Sequence, residues 1–295
     1  MKTDYNERLS GHSDKPASKT PMIIGAVAVA VVIALGAWFY LGEDSKKPAP
    51  AVIKELPAPL PAVEDPVISQ APDIPEQKAP VEEEPAGTEE APAQILPDLA
   101  DSDEFTRELL QPLSSSSDVA QWLSTDSLLQ KAVAVVDGLA RGVVLKKVMP
   151  APLPEGNFTV VTEQDVIWLD EDNYPRYDNY INAITSIPPA SLADSFHRLR
   201  PLLERAYGEL GGEAEAIDNR IIAAIDRMLA TPDHNGPFAL KRESVHYQFA
   251  DPTLEALPGV QKQLLRIGPK NRAKLLNYLK ELRVALLAQD STTVD

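Results

Sequence analysis

The sequence predicts a mainly α-helical protein in three parts: one N-terminal transmembrane helix, a disordered Pro/Glu-rich linker, and a C-terminal helical domain with at most a few short strands. Three observations predict it. Residues 21–41 carry no charge and are almost wholly apolar. Residues 48–97 hold 12 of the 27 prolines. Beyond them, apolar residues recur at intervals of three and four, the period of an amphipathic helix.

The apolar span comes first in the chain. About 20 residues at a rise of roughly 1.5 Å cross a hydrocarbon layer of roughly 30 Å. Trp38, Phe39 and Tyr40 close the run, where an interfacial aromatic belt belongs. A cleaved signal sequence would have an apolar core of only about 7–15 residues and a small-residue cleavage site. This run is longer and ends in bulky rings, so an uncleaved anchor in the lipid bilayer is expected. Lys2, Arg8, Lys15 and Lys19 precede it, while Lys46, Lys47 and Lys54 follow it behind Glu43 and Asp44. The small excess and the short tail place residues 1–20 in the cytoplasm and the bulk of the chain outside, in a bacterium the periplasm.

Residues 42–97 form the linker. Between 48 and 97 there are 10 acids and 2 lysines, so this stretch supplies −8 of the formal net charge of −16. Proline removes backbone donors and fixes φ, and like charges repel, so the stretch lacks the apolar surface to offset chain entropy. In polyproline form, fifty residues reach at most roughly 155 Å.

Residues 98–290 read as one helical domain, followed by a disordered tail at 291–295. A short helix is expected at 103–110, a second at 118–123 after the serines 114–117, and a third at 126–139 with Leu128, Ala132, Val135, Val136 and Leu139 on one face. Asp126 or Ser127 stands near its start as a cap. Thr159, Val160 and Val161 suggest a brief strand at 158–161. Helices follow at 174–184 and 191–210; Pro201 should kink or split the latter, and Gly211–Gly212 ends it. The next helix, 216–229, should pair with it as an αα-hairpin. Residues 244–249 alternate as a strand or an extended strap, and helices at 258–267 and 269–287 complete the chain. Leu275, Leu279, Leu282 and Leu286 make the last buried stripe.

Chemistry is mostly excluded. The chain has no cysteine, so it has no disulfide, thiolate metal site or Cys nucleophile. Its acidic balance argues against nucleic acid, whose binding runs on Lys and Arg. The acidic run 163–178 fails as an EF-hand: a loop starting at Asp170 puts Tyr174 at the fifth position, Pro175 where glycine is needed and Ile181 at the twelfth. Asp194, Ser195 and His197 share one helix, but Ser195 and His197 point apart. His12, His197, His234 and His246 offer no metal-ligand spacing. No cofactor is expected.

What remains is a set of polar and aromatic residues set in apolar text: Arg176, Tyr177 and Asp178; Arg200, Glu204 and Tyr207 on one helix face; Tyr247 and Asp251; and Gln261, Lys262, Arg266 and Asn271 around Gly268–Pro269. Two readings stand. They lock helices together as buried Tyr–Asp and Arg–Glu pairs, or some of them line a groove for a peptide, glycan or anionic ligand.

The segments LPDLADSDEF, RYDNYI, RPLLERAYGELG, YQFADPTLEALP and QKQLLRIGPKN, in this order behind an anchor and a Pro-rich linker, resemble the DUF3014 family over roughly residues 95–288. Ile267 stands where the family more usually carries Met. The resemblance implies a bacterial membrane-anchored domain and carries over no activity. The residues it singles out are Arg176, Tyr177, Asp178, Pro201, Tyr207, Gly211, Tyr247, Asp251, Pro252, Glu255, Gln261, Lys262, Arg266, Gly268, Pro269 and Asn271. The functional expectation is a single-pass inner-membrane protein presenting a binding module to an envelope protein or peptidoglycan-related partner. The alternative is a wall hydrolase using paired carboxylates such as Asp178, Glu204 or Asp251.

Overall fold

The computed structural model describes residues 71–76, 96–145, 147–148, 151–152, 154–242 and 246–288. The predicted membrane span at 21–41, the tail before it, most of the linker and residues 289–295 lie outside these. Among the described residues, no helix is long and apolar enough to cross a membrane.

The domain is mainly helical, with one small sheet. In chain order its helices are α1 Ser102–Leu110, α2 Ser117–Leu123, α3 Leu128–Ala140, α4 Asp178–Thr185, α5 Pro189–Glu209, α6 Ile217–Leu229, α7 Pro252–Glu255, α8 Gly259–Arg266 and α9 Pro269–Leu287. The strands are β1 Val160–Glu163, β2 Val166–Leu169, β3 Ala239–Arg242 and β4 Tyr247–Phe249, ordered β1-β2-β3-β4 and antiparallel throughout.

Helix α3 is the centre. Leu128, Leu129, Ala132, Val133, Val135, Val136, Leu139 and Ala140 are all buried, so it is apolar nearly all round, as a helix enclosed by neighbours must be. Helices α1, α5 and α6 pack on it, and α9 closes the bundle against α4, α5 and α6. The predicted αα-hairpin does not form in the expected sense. Helices α5 and α6 touch only sparsely, because each spends its apolar face on α3 and α9 instead. Pro201 does not split α5, which runs unbroken from Pro189 to Glu209. The ring is exposed, so water can satisfy the carbonyl that loses its donor.

The start of α3 is held from a distance. Ser127 takes a left-handed backbone (φ 55°) and makes no side-chain cap. The carboxylate of Asp103 accepts instead from the Ser127 amide (2.7 Å) and the Leu128 amide (2.8 Å), satisfying donors that the helix leaves open. At the other end, Arg227 donates from Nε to the Ala140 carbonyl (2.5 Å), and Gln261 donates to the Arg227 carbonyl (2.8 Å), tying α8 through α6 to α3.

The sheet has its own apolar cluster: Leu169, Phe238, Leu240 and Phe249 with Leu254 and Leu265 from α7 and α8. Sequence periodicity showed only the first strand and the last. Strands β1 and β2 are joined by Gln164 and Asp165, both at positive φ (49° and 63°), a two-residue hairpin turn without the usual glycine.

Residues 71–76, which the composition assigns to the linker, lie against the helical domain. Ile74 is buried to 1% exposure and Ala71 to 8%, and both belong to the main apolar core.

Candidate functional site

The candidate residues fall in three places.

The first is the joint between the sheet and α7–α9. Lys262 donates to the Glu255 carboxylate (2.6 Å) and to its backbone carbonyl (2.9 Å), while the other carboxylate oxygen accepts from the Phe249 amide (2.8 Å). Burial alone would raise the Glu255 pKa, but the Lys262 and Phe249 hydrogen bonds outweigh it and hold the carboxyl below its ordinary value. Arg266 lies over the Phe249 ring at 4.9 Å and donates to the Tyr247 carbonyl (3.1 Å), binding α8 to β4. Asp251 caps α7 by accepting from the Thr253 amide (2.8 Å). Asn271 donates to Asp178 (2.8 Å) and to the Tyr174 carbonyl (3.0 Å), joining α9 to α4. Tyr177 is buried beside them, its hydroxyl pushed up to about 12 by burial, with Arg176 and Arg266 acting in the opposite direction. Arg176 itself holds the loop before β1, donating to the carbonyls of Glu155 (2.9 Å) and Gly156 (2.8 Å). Asp170, the residue tested as an EF-hand start, accepts from the Asp172 amide (3.0 Å) and so caps a 3-10 turn.

The second place is an open cleft of about 600 Å³ lined by Asp137, Arg141, Tyr207, Gly212, Glu213 and Arg220 among others. The Tyr207 hydroxyl donates to Asp137 (3.2 Å) and accepts from Arg220 (2.9 Å). Gly212 is required here, since a Cβ on it would stand 2.3 Å from the Tyr207 ring. Opposite charges are balanced within the cleft wall: Arg141 and Arg220 both pair with Asp137.

The third place faces residues 71–76. Arg200 donates from Nη2 to the Ile74 carbonyl (2.9 Å) and from Nη1 to the Pro75 carbonyl (3.3 Å), lies 3.5 Å from Glu204, and forms a close ion pair with Asp218. The Asp218 side chain is 2% exposed. Burial pushes its carboxyl from 3.8 up to about 6; Glu204 and Asp73 push the same way, while Arg200 and the Ile74 amide act against them.

Arg200, Glu204 and Tyr207 are among the candidates the sequence offers; their partners here, Asp137, Asp218 and Arg220, are not. A signal existed for Asp218: it lies four residues before Ile222 and seven before Ile225, on the buried stripe of α6, where a carboxylate needs a cation. The carboxylates Asp178, Glu204 and Asp251 lie on α4, α5 and at the start of α7, each in a contact of its own. Among the described residues, no three His, Asp or Glu side chains gather as metal ligands would.

The fold and these contacts define a helical module whose polar residues mainly join its own elements. The family model described as "Protein of unknown function (DUF3014)" matches residues 128–283. The chain belongs to that family. Helices α1 and α2 precede the matched stretch yet pack into the same core. No curated protein and no solved structure matches the chain.

Proposed function

We propose that this is a single-pass protein of the bacterial inner membrane, anchored by residues 21–41, that presents a helical binding module in the periplasm on its Pro/Glu-rich spacer. The module takes a protein or peptide partner of the envelope. One observation carries the binding reading: the module surface around Arg200 and Asp218 already receives a segment outside helix and strand, residues 71–76, by its backbone and by the buried side chains of Ala71 and Ile74. The anchor and topology rest on the apolar span and its flanking charges. No comparable observation favours the hydrolase alternative.

Crosslinking in intact cells tests the function. A specific partner should be recovered with the whole chain and lost when residues 98–295 are removed; recovery of the same proteins with the anchor and spacer alone would contradict it. A periplasm-active reporter fused after Asp295 should be active, and a silent fusion would reverse the topology.

A further inference from the structure

The contacts of residues 71–76 account for the polar backbone groups at their centre. The Ile74 carbonyl and the Pro75 carbonyl accept from the two arms of one guanidinium. The Ile74 amide faces the Asp218 carboxylate. Pro75 has no N–H to satisfy, and it restricts Ile74 to extended backbone. Pro72 does the same for Ala71. The segment is thus held in the manner of peptide recognition, with the main chain read by fixed donors and acceptors and the side chains of Ile74 and Ala71 sunk into an apolar site. Its prolines reduce the entropy lost on docking.

We propose that the groove walled by Arg200 and Asp218 is a binding site for an extended segment carrying an aliphatic residue followed by proline, and that residues 71–76 fill it in cis. This rests on the binding reading above and gives it a ligand class. A partner segment of the same class competes with residues 71–76 for the groove. Occupation in cis also sets the reach of the module. With the groove filled, 29 residues (42–70) separate it from the membrane span, at most roughly 90 Å in polyproline form; with the groove vacated, residues 42–97 allow roughly 170 Å.

The test uses the full chain in nanodiscs, where the absence of cysteine permits clean labelling. Spin labels at Glu76→Cys and Glu213→Cys, both exposed positions, should give a narrow distance distribution that broadens with Ile74→Asp or with Arg200→Ala. A fluorescent peptide of residues 70–77 should bind the Ile74→Asp chain at least tenfold tighter than the unmodified chain. Adding Arg200→Ala to the vacated chain should weaken that binding at least tenfold. A broad distribution in the unmodified chain, equal peptide affinity with and without Ile74→Asp, or no binding to the vacated chain would overturn the proposal. An absence of partners in cells would overturn the proposed function while leaving these readouts untouched.

Discussion

Arg200 on α5 donates to the carbonyl of Ile74 at 2.9 Å, across a separation of 126 residues. The same guanidinium pairs with Asp218, so one side chain joins residues 74–75, α5 and α6. Removing it leaves a buried carboxylate without its cation. Arg200→Ala should therefore cost about 3 kcal/mol of stability. Adding Asp218→Asn should restore at least about 1 kcal/mol, because the two positions share one interaction. Denaturant unfolding of the two single variants and the double variant measures this; strict additivity would contradict it.

Asp218 also predicts a pH slope. Its folded pKa is raised from 3.8 to about 6, chiefly by burial, so the native state holds a proton that the unfolded chain releases. The resulting stabilisation is fully present below about 3.8 and is lost as pH rises through about 6. Asp218→Asn should flatten this contribution. The comparison is unfolding free energy from pH 4 to 7 for both proteins; identical slopes would refute it.

Asp103 caps a helix that starts 25 residues later. Asp103→Ala should lower stability by about 1–2 kcal/mol, with Asp103→Asn recovering part of the loss. Amide exchange at Ser127 and Leu128 should rise more in the alanine variant than elsewhere in α3.

Gly268, at φ +84°, faces the Tyr174 ring, which a Cβ would approach to 2.5 Å. Gly211 has a similar φ of +94° but open space around it. Gly268→Ala should cost about 2 kcal/mol or more, and Gly211→Ala only the backbone strain of about 1 kcal/mol. Thermal unfolding that ranks them the other way would show that the ring yields freely.

Tyr278 is 5% exposed, and its hydroxyl has no hydrogen-bond partner among the described residues. Tyr278→Phe should raise stability by about 1 kcal/mol, since it removes a buried polar atom that gains nothing in the fold. A loss on calorimetry would reveal a partner for that oxygen.

The helices were legible because burial on one face writes itself at spacings of three and four, as Leu275, Leu279, Leu282 and Leu286 do in α9. The middle strands were not. Strand β2 follows a turn with no glycine, and β3 has four residues of which Lys241 and Arg242 are exposed. Arg200 and Tyr207 stand out in the sequence as polar residues on otherwise apolar helix faces. Their partners Asp218 and Asp137 lie 18 and 70 residues away, a separation that no local spacing encodes. Residues 71–76 were hidden for a different reason. Proline and acid mark a stretch that cannot build a core, yet one isoleucine between two prolines is enough to occupy a core that already exists.

The most direct measurement is amide hydrogen exchange at Ile74 in the full chain. A groove that receives this segment protects the Ile74 amide well beyond its rate in a free peptide of residues 70–77, and Arg200→Ala removes the protection. Exchange at the free-peptide rate in the unmodified chain would contradict the account.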